Sequence, residues 1–128
     1  MTTQLDLRKL ADKINVTLTH HTGRGYGYYH NPTRTITTRR GLTVAKYRTV
    51  LAHELAHAIR QDQPTGNPHY DRKQEMKADR IAAELLIAPD EWEDAKRWCQ
   101  GSVAEMAAEL EVSPRIVEIY AQYIERKI

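Results

Sequence analysis

Three residues on one turn, His53, Glu54 and His57, carry the most specific chemistry in this sequence. An α-helix advances about 100° per residue, so side chains four apart lie one above the other. His53 and His57 can therefore aim two imidazole nitrogens at one point, the commonest way a helix grips a zinc ion. Glu54 sits one residue round the helix, close enough to reach a water on that metal but badly placed to be a ligand. With 6 His and 10 Glu in 128 residues, the pattern would arise by chance about two times in a hundred. Val50, Leu51, Ala52, Leu55, Ala56, Ala58 and Ile59 surround it, so this helix reads as buried. A buried imidazole needs a partner, and a metal supplies one. The residues read as a zinc hydrolase site.

A catalytic zinc keeps three protein ligands and one open position. Glu75, on a following helix that can cross the first, is the preferred third ligand. Asp79, one turn further on, would hold the second nitrogen of a ligand histidine and fix its tautomer. His69 is the rival ligand, but the longer three-histidine zinc pattern is not met. His20 and His21 are explained by a strand and are not expected to bind metal.

The elements that must position these groups follow from periodicity and punctuation. Leu7, Leu10, Ala11 and Ile14 have helical spacing within Asp6 to Ile14. Val16, Leu18 and His20 alternate with Thr17 and Thr19 as a strand would. Gly25 to His30 and Thr33 to Thr38 read as two more strands around an Asn31-Pro32 turn, giving a small three-stranded antiparallel sheet. Gly23, Gly25 and Gly27 are not a phosphate loop, because the Lys and Ser/Thr of that motif do not follow. Tyr26, Tyr28 and Tyr29 between them read as packing, on an edge strand open to an extended peptide.

Thr43 caps a helix running to Arg60, residues 61–70 form a loop, and Asp71 caps a second long helix ending before Pro89. On that second helix Ala78, Ile81, Ala82, Leu85 and Leu86 make an apolar stripe. Asp90 with Glu93 and Ser102 with Glu105 are spaced as capping boxes, and Ser113-Pro114 starts a last helix. The fold class is α+β. The expected organisation is a single domain over 1–128, with a core at 1–98 and a C-terminal helical segment at 99–128.

That last segment, Ser102 to Ile124, resembles a helix-turn-helix, with Glu111 where such turns often have Gly. Its second helix offers Arg115 but also Glu118 and Glu125, a poor surface for phosphates. Direct nucleic-acid binding is not expected.

Composition narrows the setting. A 41% apolar and 28% charged chain is typical of soluble globular proteins. There is no apolar run near 18 residues, so no membrane span is expected. Asp6, Arg8, Lys9, Asp12 and Lys13 interrupt any signal-peptide core. Cys99 is the only cysteine, which excludes an internal disulfide and suits a reducing compartment, so the expected location is the cytoplasm. The net charge of +2 hides an asymmetry: residues 1–73 hold 12 Lys/Arg against 5 Asp/Glu, and 74–128 hold 7 against 12. Solvated edge strands bearing Arg34, Arg39 and Arg40 account for the basic half.

The run His53-Glu54-Leu55-Ala56-His57, with Glu75-Met76-Lys77-Ala78-Asp79 and a helix ending Leu85-Leu86-Ile87-Ala88-Pro89, resembles the ImmA/IrrE family of metallopeptidases. The similarity extends from the strands before the motif to the helices after it. Arg80-Ile81 departs from the small or aromatic pair more frequent there, which touches packing rather than ligands. The resemblance implies a zincin-like fold and a gluzincin-like ligand set of His53, His57 and Glu75 around one Zn2+ per chain. It also implies a protein substrate, a transcriptional repressor in phage, mobile-element or stress regulation.

In such an enzyme Glu54 would be the general base. Tyr70 and His69, then Tyr28, His20 and His21, are candidates for a second oxyanion or substrate contact. Two other classes compete. One is a non-catalytic regulator that binds a repressor or DNA and keeps a structural metal. The other is a zinc hydrolase of a non-peptide bond.

Overall fold

The computed structural model describes residues 6–125. Among these residues six α-helices, a π-helical turn at Tyr120–Ile124 and three strands make an α+β fold. Helix α1 (Leu7–Lys13) starts where Asp6 accepts hydrogen bonds from the Arg8 and Lys9 amides, and it buries Leu7 and Ala11. Asn15, at φ 59°, then turns the chain into β1 (Thr17–His21).

Strands β2 (Gly27–His30) and β3 (Thr35–Arg39) complete a sheet of order β1-β3-β2. The sheet is mixed, not antiparallel: β1 pairs with β3 in parallel and β2 pairs with β3 antiparallel. The reason lies in β3. Its Ile36 is fully buried and its Thr38 nearly so, and a strand buried on that scale takes the centre. Residues 22–26 carry the chain across that central slot, and five residues have ample reach for two strand spacings.

Helix α2 (Val44–Arg60) begins at Thr43, whose Oγ1 accepts from the Lys46 amide, and ends at Gln61 in the left-handed region. Helix α3 (Pro68–Leu86) starts earlier than the sequence suggests: Asn67 is the cap, accepting from the His69 amide, and Pro68 fills the first helical position. Asp71 instead braces the loop, accepting from the amide and hydroxyl of Thr65.

Helices α2 and α3 cross along Ala52, Ala56, Ala78 and Ala82, all fully buried. Alanines at these spacings let the two backbones approach closely. That approach brings the ligand candidates of one helix within reach of those on the other.

Helices α4 (Pro89–Trp98), α5 (Val103–Leu110) and α6 (Pro114–Ile119) close the core through Trp92, Ala95, Met106, Leu110, Ile116 and Val117. Glu91, not Asp90 with Glu93, makes the return bond at the start of α4, accepting from the Ala88 amide. Ser102 does cap α5, accepting from the Glu105 amide.

Two details correct the view of the basic half as solvated charge. Arg34 donates to Tyr29 Oη, to the Ala58 carbonyl and to the Ile14 carbonyl, tying α1, α2 and the sheet together. Arg39 lies over the Tyr26 ring, 4.6 Å from its centroid. Among the described residues no helix is long and apolar enough to cross a membrane.

Gly27 fixes how closely β2 runs to α2. A Cβ there would lie 2.6 Å from Val50 Cγ1 and 3.3 Å from the Thr37 carbonyl. Val50 is β-branched and stiff, so it yields poorly. Gly27→Ala is therefore expected to destabilise the fold by about 1–3 kcal/mol, read as a lower urea midpoint at unchanged slope. An unchanged midpoint would show that the strand moves freely.

Candidate metal centre and active-site cavity

The α2–α3 crossing sets His53 and His57 of α2 against Glu75 of α3. His53 Nε2 lies 2.8 Å from Glu75 Oε2, His57 Nε2 lies 3.1 Å from Glu75 Oε1, and the two Nε2 atoms are 3.1 Å apart. Among the described residues these three form a group able to hold a metal ion.

The other ring nitrogen of each histidine meets a carboxylate. His53 Nδ1 is 2.9 Å from Asp79 Oδ1, and His57 Nδ1 is 2.9 Å from Asp62 Oδ2. A proton on each Nδ1 satisfies those bonds and leaves both Nε2 lone pairs facing each other and a carboxylate. Three electron-rich atoms at such distances call for a cation. Tetrahedral zinc with bonds of 2.0–2.1 Å would set its ligand atoms about 3.3 Å apart, so the donors need to spread by only a few tenths of an ångström. The residues present fit the metal.

The electrostatics agree. Burial works against a charge on His53, yet the Asp79 hydrogen bond and the charges of Glu54, Glu75 and Asp79 outweigh it and lift its pKa to about 9. Burial also opposes ionisation of Asp79, but His53 and Arg115 hold its pKa below the ordinary value. Glu54 stands apart. Burial pushes its carboxyl up to about 7, against the pull of His53 and His57 and of a hydrogen bond from the Tyr29 backbone.

Asp62 was not singled out by sequence reasoning. It follows the left-handed Gln61, where the chain doubles back and the Asp62 amide donates to the His57 carbonyl. That reversal tucks the carboxylate under His57, where Arg60 Nε also reaches it. No spacing rule marks the position, because it depends on the turn at the helix end. Asp62→Asn is expected to weaken zinc binding about 10–100-fold, measured by competition with a chelator of known affinity; an unchanged affinity would remove Asp62 from the site.

The cluster opens on a cavity of about 390 Å³. Tyr28 and Tyr29 of β2, Glu54 of α2, Asp62 to Pro64 of the loop, and Gln74 of α3 are among its walls. Of the candidate substrate contacts Tyr28 lines it, with its hydroxyl donating to the Arg24 carbonyl. His69 and Tyr70 sit exposed in the first turn of α3, not in a loop, and neither lines the cavity. His20 and His21 bond to Thr38 and Thr37 across the parallel strand pair and do not line it either.

A three-stranded mixed sheet, a His-Glu-x-x-His helix and a crossing helix with a converging carboxylate are the parts of a small zincin-like metallopeptidase domain. The family model of the M78 peptidases, described as the IrrE N-terminal-like domain, matches residues 11–120. The chain belongs to that family. A search of curated proteins finds no match.

Proposed function

We propose that the chain is a zinc-dependent endopeptidase that cleaves a DNA-binding repressor or regulator of a phage, mobile element or stress response. One observation carries the reading: the buried Glu54 carboxylate borders the cavity on which His53, His57 and Glu75 converge. His53 and His57 through Nε2, and Glu75 through its carboxylate, would hold the zinc, with Asp79 and Asp62 orienting the imidazoles. When bound, the metal supplies a Lewis acid and makes a water acidic near neutral pH.

Glu54 accepts the proton of the attacking water and hands it to the leaving amine. Glu54 is buried, borders the cavity and takes a hydrogen bond from the Tyr29 backbone, which places its carboxylate for both steps. The Arg39 amide donates to the Tyr26 carbonyl, so by the alternation of an antiparallel pair the Gly27 and Tyr29 backbone groups point away from β3. Tyr29 N–H meets Glu54. Gly27 is left to pair with an extended peptide laid along the strand. Tyr28 stands beside that path as a substrate contact.

Direct DNA binding through α5 and α6 is not part of this reading. Arg48 donates to the Leu110 and Glu111 carbonyls and Thr49 accepts from the Ser113 amide, which holds their turn on α2. The test is incubation of the zinc-loaded protein with the repressor encoded beside its gene, followed by mass spectrometry. A discrete cut that disappears after chelation is expected. An intact repressor that nevertheless binds the protein would favour a non-catalytic regulator.

A further inference from the structure

Strand β2 and helix α2 run side by side in the same direction past the metal centre. Tyr26 meets Lys46, whose Nζ lies 4.0 Å from the ring centroid. Gly27 lies against Val50, and the Tyr29 amide meets Glu54. Three steps of strand, about 10 Å, thus run beside eight of helix, about 12 Å. A peptide paired along the free edge of β2 therefore reaches Tyr26 about three residues from the bond held beside Glu54.

Tyr26 carries two cations. Arg39 of β3 lies over the same ring, 4.6 Å from its centroid, and the ring is 48% exposed. Among the described residues neither Arg39 nor Lys46 forms an ion pair. Lys46 also stands in the first turn of α2, which holds no acidic residue. The helix dipole opposes a cation at that end and favours an anion. The ring offsets part of the cost, but it supplies no counter-charge. Arg24 and Arg40, both exposed, add the same sign in the adjoining turns. The carboxylates of the neighbouring centre, Glu54, Asp62, Glu75 and Asp79, disfavour a polyanion laid along this groove. A single acidic side chain arriving with a peptide suits the patch better.

We propose that Arg39 and Lys46, set on the Tyr26 ring, bind an acidic side chain of the substrate about three residues from the cleaved bond. The inference rests on the peptidase reading above and narrows its substrate to chains with Asp or Glu at that position. It also gives part of the basic first half of the chain a use in recognition.

The test has two arms on the full chain. In the first, the 15N-labelled protein is titrated with acetylated tetra-alanine amides carrying Asp at the first or the last position, and with Asn in its place. One Asp peptide is expected to move the Tyr26, Arg39 and Lys46 amide signals and to bind several-fold more tightly than its Asn counterpart. The gap should close in about 1 M salt and in Lys46→Gln. Equal shifts from the Asp and Asn peptides would overturn the patch. A single-stranded oligonucleotide that moves these signals at lower concentration than any peptide would make it a nucleic-acid contact, and would overturn the proposal too.

In the second arm the zinc-loaded chain digests a library of proteome-derived peptides. Asp and Glu should be enriched about three residues from the cut, on one side only. For a peptide that is cut, replacing that acid by its amide should raise KM about fivefold with little change in kcat. Lys46→Glu, a change the helix dipole favours, should abolish the acidic preference; a preference that survives it would overturn the role of Lys46. Cuts without acidic enrichment overturn the patch and leave the peptidase reading standing. Asp-selective shifts without any cuts overturn the peptidase reading and leave the patch's selectivity in place.

Discussion

Glu54→Gln is expected to keep about one equivalent of zinc and to lose peptide hydrolysis by roughly 10²–10⁴-fold in kcat, about 2.7–5.4 kcal/mol of barrier. The substitution preserves shape. Its amide oxygen can still accept the Tyr29 N–H that Glu54 accepts, and the ligands His53, His57 and Glu75 are untouched. What disappears is a buried carboxylate on the cavity wall that feels both ligand histidines and is neither a ligand nor bonded to one.

Stability should move the other way. Burial raises the Glu54 pKa from 4.5 to about 7, so the folded chain holds this proton longer than the unfolded chain does. That contribution to stability is fully present below pH 4.5 and is lost as pH rises through about 7. Glutamine has no charge to bury. The metal-free Glu54→Gln protein should therefore be more stable than the parent at pH 8, by about 1–3 kcal/mol, with the gap closing at pH 4. A variant that keeps cleavage, or that is less stable at pH 8, would remove Glu54 from its proposed place.

The sequence made the α2 and α3 side of the centre legible because helical spacing is local arithmetic. His53 and His57 are four apart, as are Glu75 and Asp79, so each pair must share a face. The alanines at 52, 56, 78 and 82 read only as an apolar stripe, yet they set the helix approach that joins the two pairs. Asn67-Pro68 was a better start signal for α3 than Asp71, since a capping Asn followed by Pro at the first position is the usual order.

Other features were hidden because they depend on long-range structure. The order of strands turns on which of three short segments is buried most, and β-branched residues occur in more than one. Arg34 reads as a solvated strand charge, and no spacing marks Asp62. Their roles follow from a left-handed turn at Gln61 and from the placement of β3 between α1 and α2. Asp62 and Arg115 both lie where a helix end meets the centre, and helix ends are where spacing arguments stop.

His57→Ala and Glu75→Ala should both abolish stoichiometric zinc binding, but at different cost to the fold. His57 is buried and its Nδ1 holds Asp62, a carboxylate only 8% exposed. Truncating His57 leaves that carboxylate with Arg60 alone, at a cost of about 1–3 kcal/mol for the lost partner before any metal is considered. Glu75 is different: its side chain is 58% exposed and its carboxylate meets the two imidazoles.

Glu75→Ala should therefore leave the metal-free fold within about 0.5 kcal/mol of the parent, as for other surface changes, while removing a third of the ligand set. Added zinc at a thousand times its dissociation constant should stabilise the parent by about 4 kcal/mol and raise its melting temperature, whereas neither variant should respond. Calorimetry of the three proteins with and without zinc separates ligation from packing. If Glu75→Ala still showed the full zinc-dependent rise, the carboxylate across the helix crossing would not be a ligand, and the metal, if bound, would rest on the two histidines and a group outside the α2–α3 pair.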